Sequence, residues 1–260
     1  MQRSHAIAFS ATTLRRDRLF AHIPHPMLSQ NVGYSSWRLE KPALLPPIMN
    51  RTNNRNPVLL VHGIIRTSAV FRTMSAYLTQ QGWSVHSFNL TPNNATLGLD
   101  QLATQVADYV DKTFAPEQPF DLVGLSMGGL VTRYYVQRLG GIDRVQRFIT
   151  ISAPHQGTRM AYLLPRAACV QMRPGSPFLE DLNQDASMLE RLNFTSLWTP
   201  WDFIIVPACS SQMPVGREVK VPVFAHAFMV RDARCLQAVE SALLEPIKSP
   251  SEREKGKGKR

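Results

Sequence analysis

Cysteine is scarce in this chain: three among 260 residues, at positions 169, 209 and 235. They form no C-x-x-C pair and their number is odd. That argues against a disulfide framework and against a metal site, and it fits a reducing compartment. Long apolar runs are missing too. No stretch is apolar throughout for the length a transmembrane helix needs, so none is expected. The early apolar stretch His5–Leu14 is interrupted by Ser10, Thr12 and Thr13 and is a poor core for a signal peptide. The expectation is a cytoplasmic protein. An organelle transit peptide stays open, because the first 50 residues are rich in arginine and poor in acids.

The middle of the chain also lacks excess charge. The net charge of +10 suggests a nucleic-acid partner until its placement is examined. Residues 1–50 hold six basic and two acidic side chains, and residues 248–260 hold the same numbers, leaving 17 basic against 15 acidic between them. A near-neutral middle disfavours nucleic acid as a partner. The basic ends imply only solvation or loose attraction to anionic surfaces.

Residues 1–56 show no sustained period and carry prolines at 24, 26, 42, 46 and 47. They read as an N-terminal extension: either a disordered leader, or sequence upstream of a reading frame that starts near Met49. Beyond them the chain alternates. Pro57–His62 is short, apolar and β-branched, as a strand buried on both faces of a parallel sheet would be. A helix capped by Thr67 or Ser68 should run to about Gln81, then a strand over Trp83–Asn89 and a helix near Asp100–Phe114. Phe120–Leu125 predicts the next strand, Gly128–Leu139 a helix and Val145–Ile151 another strand. Thr195–Thr199 and Val221–Phe224 complete the strands, and a helix near Asp232–Leu244 closes the domain. Strands alternating with helices predict right-handed βαβ units in a mostly parallel sheet of about six strands, with helices on both faces. Residues 158–194 break the rhythm with apolar residues mixed among Pro165, Pro174, Gly175 and Pro177. This stretch is expected as a helical cap insertion over the site. The domain should span residues 57–247, followed by a basic disordered tail at 248–260.

The most informative stretch is Val123–Gly129, which reads Val-Gly-Leu-Ser-Met-Gly-Gly. A Gly-x-Ser-x-Gly sequence between a strand and a helix is the setting of a nucleophile elbow, with Ser126 at the sharp turn. Serine needs a base, and the base needs an acid that orients it. On such a scaffold the chain order is serine, acid, histidine. His155 follows Ser126 before any acid has appeared; His226 follows several. Asp202 lies just beyond a strand end, whereas Glu180, Asp181, Asp185 and Glu190 fall in the expected cap and Asp232 follows the histidine. The expected triad is therefore Ser126, Asp202 and His226. Acyl transfer also needs donors for an oxyanion. The Met127 amide and the Ile64 amide, the latter in the loop His62-Gly63-Ile64, are placed for it. His62, Arg66, His155 and Trp201 are candidates for the pocket wall, His62 reading better as a brace of its loop than as a base.

With these residues in view, the chain resembles the small bacterial α/β-hydrolase lipases and esterases. The resemblance rests on Val58-Leu59-Leu60-Val61-His62-Gly63-Ile64, on Gly124-Leu125-Ser126-Met127-Gly128-Gly129-Leu130, on Thr199-Pro200-Trp201-Asp202 and on Ala225-His226. It implies the α/β-hydrolase fold, a Ser-Asp-His triad, a two-amide oxyanion hole, no metal or other cofactor, and hydrolysis of carboxylic esters of acyl lipids. The expected partner is a small-molecule or lipid ester, with transient contact to a membrane or lipid surface. Two departures stand out: Ile65 and Arg66 follow the oxyanion loop where the family often has glycine, and Ala225 precedes His226 where it often has glycine. Two other readings remain at this point. One is an acyltransferase on the same scaffold; the other is a non-catalytic α/β-hydrolase module that binds a partner.

Overall fold

The computed structural model describes residues 55–255. The expected leader therefore lies almost wholly outside the described residues, as do positions 256–260. The four residues of β1, Val58–Val61, are all fully buried. Alternate side chains of a strand point to opposite faces, so burial of all four requires cover on both. That cover is visible in the packing. Leu59 and Val61 join one core with Val106, Leu130 and Val131, and Val58 and Leu60 join another with Met74, Leu78 and Val239.

Six strands form a single all-parallel sheet. After β1 come β2 (Val85–Ser87), β3 (Phe120–Leu125), β4 (Val145–Ile151), β5 (Asn193–Trp198) and β6 (Arg217–Lys220), in the spatial order β2-β1-β3-β4-β5-β6. β1 pairs in parallel with both β2 and β3, with Leu60 opposite Ser87 on one side and Val123 on the other. Helices α1 (Arg72–Gln80), α2 (Leu99–Thr113) and α3 (Met127–Arg138) alternate with the strands, followed by a short α4 (Gly141–Arg144). α2 and α3 cover one face. α1 and α7 (Ala233–Leu243) cover the other. Among the described residues no helix is long and apolar enough to cross a membrane.

Two expectations change. The last strand is Arg217–Lys220, not Val221–Phe224. Val221 and Val223 are indeed buried, and the Val221 amide donates to the Trp198 carbonyl, but Pro222 has no amide to continue the ladder. The true strand is charged because it is the half-exposed edge of the sheet. Second, neither Thr67 nor Ser68 caps a helix through its side chain: a 3₁₀ turn at Ser68–Phe71 precedes α1. The chain after the last strand packs back on the domain at Lys248 and Arg253. The Lys248 ammonium donates to the carbonyls of Glu190 and Leu192, and Arg253, on helix α8 (Pro250–Lys255), donates to the Ile142 carbonyl.

Residues 158–194 fold into short helical pieces, as their composition suggests. They comprise 3₁₀ turns at Arg159–Leu163 and Ala186–Arg191 flanking α5 (Ala167–Gln171) and α6 (Pro177–Gln184). Their apolar side chains, Ala168, Cys169, Met172, Leu179 and Leu189, join the core beneath α2 and α3. The segment is a flank of the sheet's α2–α3 side. None of its residues lines the cleft described next.

Candidate active site

β3 runs into α3 through a single residue, Ser126, at φ 55° and ψ −125°. The turn is this sharp because two glycines allow it. A Cβ on Gly128 would overlap the backbone oxygens of Val61 and His62, and one on Gly124 would overlap Thr132 Oγ1 and Gly129 Cα. The Ser126 amide donates to the Ile151 carbonyl (2.8 Å), which ties the elbow to the end of β4. Ser126 keeps 6% of its surface exposed, and it opens into a cleft of about 310 Å³.

Apart from Ser126 and His226, the cleft walls are Gly63, Ile64, Ile65, Arg66, Val70, Leu125, Ile204 and Ala227. His226 reaches this cleft from a 3₁₀ turn after the last strand. Its Nδ1 lies 2.8 Å from Asp202 Oδ2. The other oxygen, Oδ1, accepts from the amides of Ile204 (2.9 Å) and Ile205 (2.8 Å). All four lone-pair directions of a carboxylate want donors, and three are supplied here. Burial is the largest single influence on Asp202 and opposes its charge. The hydrogen bond and charge of His226 and the two amides together outweigh burial, and the carboxyl lies below its usual range. An ionised Asp202 can only accept, so His226 Nδ1 is the donor of this bond, and Nε2 is the ring nitrogen left for other partners. Among the described residues no hydrogen bond joins Ser126 to His226; the two meet by facing one cleft.

Ile64 lines the same cleft, and Met127 follows Ser126 directly in the chain. Met127 opens α3, where the first helical amides have no intrahelical acceptor. Neither the Ile64 nor the Met127 amide donates to a protein acceptor among the described residues. The Ile64 loop is held in place by His62, whose Nε2 accepts from the Leu90 amide (3.0 Å) while Nδ1 donates to the Gly63 carbonyl (2.9 Å). Burial pushes its pKa down against the raising effect of that Gly63 bond, so His62 is a neutral brace.

The model of the palmitoyl protein thioesterase family matches residues 57–201, more than half of the chain. The chain belongs to the palmitoyl protein thioesterase family. Solved structures carry the same fold at low identity. The mature Bacillus licheniformis lipase BlEst2 superposes with a TM-score of 0.62 at 14% identity, over 76% of this chain and 95% of that one. Aspergillus fumigatus lipase B gives 0.63 at 19%, over 77% of this chain and 55% of that one. An extracellular α/β-hydrolase from a Paenibacillus species gives 0.52 at 17%, over 75% of this chain and all of that one. The chain thus spans about half the length of the Aspergillus enzyme. At these identities the likeness concerns the fold, and the fold is that of the α/β-hydrolases.

The match to the thioesterase family ends one residue before Asp202, so the acid and His226 stand on the geometry above. Of the four residues expected on the pocket wall, only Arg66 lines the cleft. His62 is buried behind it. Trp201 is 47% exposed and outside the lining, beside Asp202 in sequence only. His155 is fully buried, with Nε2 2.9 Å from Thr150 Oγ1 and Nδ1 without a partner. Burial, reinforced by the positive charge of Arg133, holds its pKa well below the ordinary histidine value.

Arg133 is the notable residue that sequence reasoning passes over. It is fully buried on α3 and donates to Gln137, Asn183 and the Leu182 carbonyl, with burial pulling its pKa down to about 9. It fixes α6 against the elbow helix through neutral acceptors. An arginine two turns into an amphipathic pattern reads as a solvent-facing position, and only the packing of α6 reveals otherwise. Backbone strain also gathers at the site. Of the six non-glycine residues with positive φ among those described, Ser126, Ile65 (φ 55°) and Ala225 (φ 68°) all border the cleft or its histidine. Two of them, Ile65 and Ala225, are the places where the related lipases and esterases often have glycine.

Proposed function

We propose that this protein is a serine hydrolase that cleaves acyl esters with lipid-like chains through an acyl-enzyme. The observation that carries the reading is one cleft shared by Ser126, at a strained elbow, and His226, held at 2.8 Å by the ionised Asp202. Ser126 Oγ attacks the acyl carbonyl while its proton passes to His226 Nε2. Asp202 fixes the tautomer and supports the imidazolium that forms. The carbonyl oxygen gathers charge between the Ile64 and Met127 amides, the second reinforced by the N-terminal end of α3. His226 then returns the proton to the departing oxygen, and the acyl group stays on Ser126. Water, deprotonated by the same histidine, releases the acid and restores the serine. Ile64, Ile65, Val70, Leu125 and Ile204 give the acyl chain apolar walls.

A thioester substrate is a second reading, favoured by the family match. The mechanism is unchanged except that sulfur leaves. The test is hydrolysis of paired oxygen esters and thioesters of graded acyl length, beside Ser126→Ala. The expected rates rise up to medium chains and vanish in the variant. Acetyl substrates outrunning octanoyl ones by a wide margin would replace this reading with a small-molecule esterase. A strong preference for sulfur over oxygen at equal chain length would select the thioesterase reading.

A further inference from the structure

The mouth of the cleft is unusually apolar for a surface. Ile65 is 66% exposed, Phe203 63%, Ile204 45%, Phe224 68% and Phe228 52%. These residues come from three separate loops, after β1, after β5 and after β6, yet they form one continuous rim. Ile65 and Ile204 line the cleft of Ser126. Phe203, next to Ile204, meets Phe224 with ring centroids 6.4 Å apart. Phe224 and Phe228 line an adjoining recess of about 290 Å³. The first loop is held out at a cost, because Ile65 is a β-branched residue at φ 55°. Its amide donates to the Asn93 carbonyl (2.7 Å), and the Asn93 side chain donates to the Arg66 carbonyl (2.7 Å), so the exposed position is built rather than slack. Exposed aromatic and aliphatic side chains gathered around a cleft mark an interaction surface.

Charge selects the occupant. Arg66 lines the catalytic cleft and Arg231 lines the adjoining recess, and both are exposed with no side-chain partner among the described residues. Asp232, the one carboxylate of the recess, is neutralised by Arg234 at 2.7 Å. The rim therefore presents bulky apolar groups between two unpaired guanidinium groups, with no unpaired carboxylate lining either recess. Apolar groups that enter the acyl boundary beside arginines that meet phosphate suit an anionic bilayer. We propose that this rim docks the enzyme on anionic phospholipid membranes, with Ser126 facing the acyl region. This rests on the reading of Ser126 as an acyl-hydrolysing serine and names the surface from which its substrate is drawn.

The experiment is co-sedimentation of full-length Ser126→Ala, which cannot consume the lipid, with vesicles of phosphatidylcholine alone or mixed with phosphatidylglycerol. The expected result is binding to the mixed vesicles stronger by roughly tenfold or more. Added Arg66→Gln and Arg231→Gln should remove most of that preference. Added Phe203→Ser and Phe224→Ser should weaken binding to both vesicle types at least tenfold. Because both chain ends are basic, a preference that survives the two arginine changes intact would assign it to the tails and overturn the proposal. So would binding that ignores the loss of both phenylalanines. A stable dimer that the phenylalanine changes dissolve would hand the rim to a second copy of the chain, again overturning it. Hydrolysis of a soluble short-chain ester by the wild type separates the two claims. If that hydrolysis fails while vesicle binding behaves as described, the serine reading falls and the docking surface stands.

Discussion

His155 and His226 both follow strand ends of one sheet, the first after β4 and the second after β6. Their surroundings differ in every respect that matters for chemistry. His155 is fully buried among Thr150, Phe194 and the charge of Arg133, and these keep its ring neutral with one nitrogen unpartnered. His226 keeps about 15% of its side chain exposed, faces the cleft of Ser126, and has an ionised carboxylate on the far nitrogen. An acid partner and access to the Ser126 cleft suit His226, and not His155, to the proposed role of base.

The largest effect expected on that contrast is from His226→Ala. Removing the base of such a triad costs on the order of 10⁶-fold in kcat, and Asp202→Asn should cost on the order of 10⁴-fold because the tautomer is lost. Steady-state hydrolysis of a soluble ester checks both. A loss below a hundredfold in either variant would break the pairing of His226 with Ser126 and Asp202.

His155→Gln should act on stability instead, by about 1–3 kcal/mol through the disturbed Thr150 bond, with hydrolysis retained. Urea unfolding alongside the same ester assay distinguishes the two effects. The pH dependence sharpens this further. His155 and His62 both have folded pKa values below the reference of 6.5, so below that pH the unfolded chain takes up protons that the folded chain refuses. Their contribution is therefore fully present above pH 6.5 and is lost as the pH falls, by up to ~1.4 kcal/mol per pH unit for each ring. Asp202, depressed below 3.8, adds its own loss only at more acid values. His155→Gln should make the decline just below pH 6.5 shallower; an unchanged slope would mean that His155 is protonated in the fold.

The smallest effect expected is from Ala225→Gly beside His226. Ala225 at φ 68° and ψ 145° is in backbone territory that glycine enters freely. Relief of that strain, less the extra freedom glycine gains when unfolded, should raise stability by about 1 kcal/mol, read as a higher Tm. A lower Tm would show that the turn does not carry the strain.

The sheet and the elbow were legible in the sequence because burial on two faces leaves runs such as Val58–Val61 and Phe120–Leu125 without a polar residue to alternate, apart from Asp121. Asp121 is matched with Arg147 at 3.0 Å and lies at the strand's beginning, away from Ser126. That Asp202 would lie beside His226, and His226 on the cleft of Ser126, was legible because the topology fixes which strand ends meet. What misled was the use of apolarity as a proxy for pairing. Val221 and Val223 are apolar because they are buried, while the neighbouring strand is charged because it is an edge. The apolar content of residues 158–194 announced a helical insertion, but not that its inner side chains would join the core beneath α2 and α3. The exposed phenylalanines were invisible as a surface, since a sequence states that Phe203 and Phe224 exist and not that they meet.

The most direct test of the central claim is the rate of fluorophosphonate labelling, with the adduct mapped by mass spectrometry, in the wild type, His155→Gln and His226→Ala side by side. One adduct is expected, on Ser126, formed at similar rates in the wild type and His155→Gln and at least about a thousandfold more slowly in His226→Ala. Equal labelling in His226→Ala, or loss of labelling in a folded His155→Gln, would contradict that expectation and give the role of base to another group.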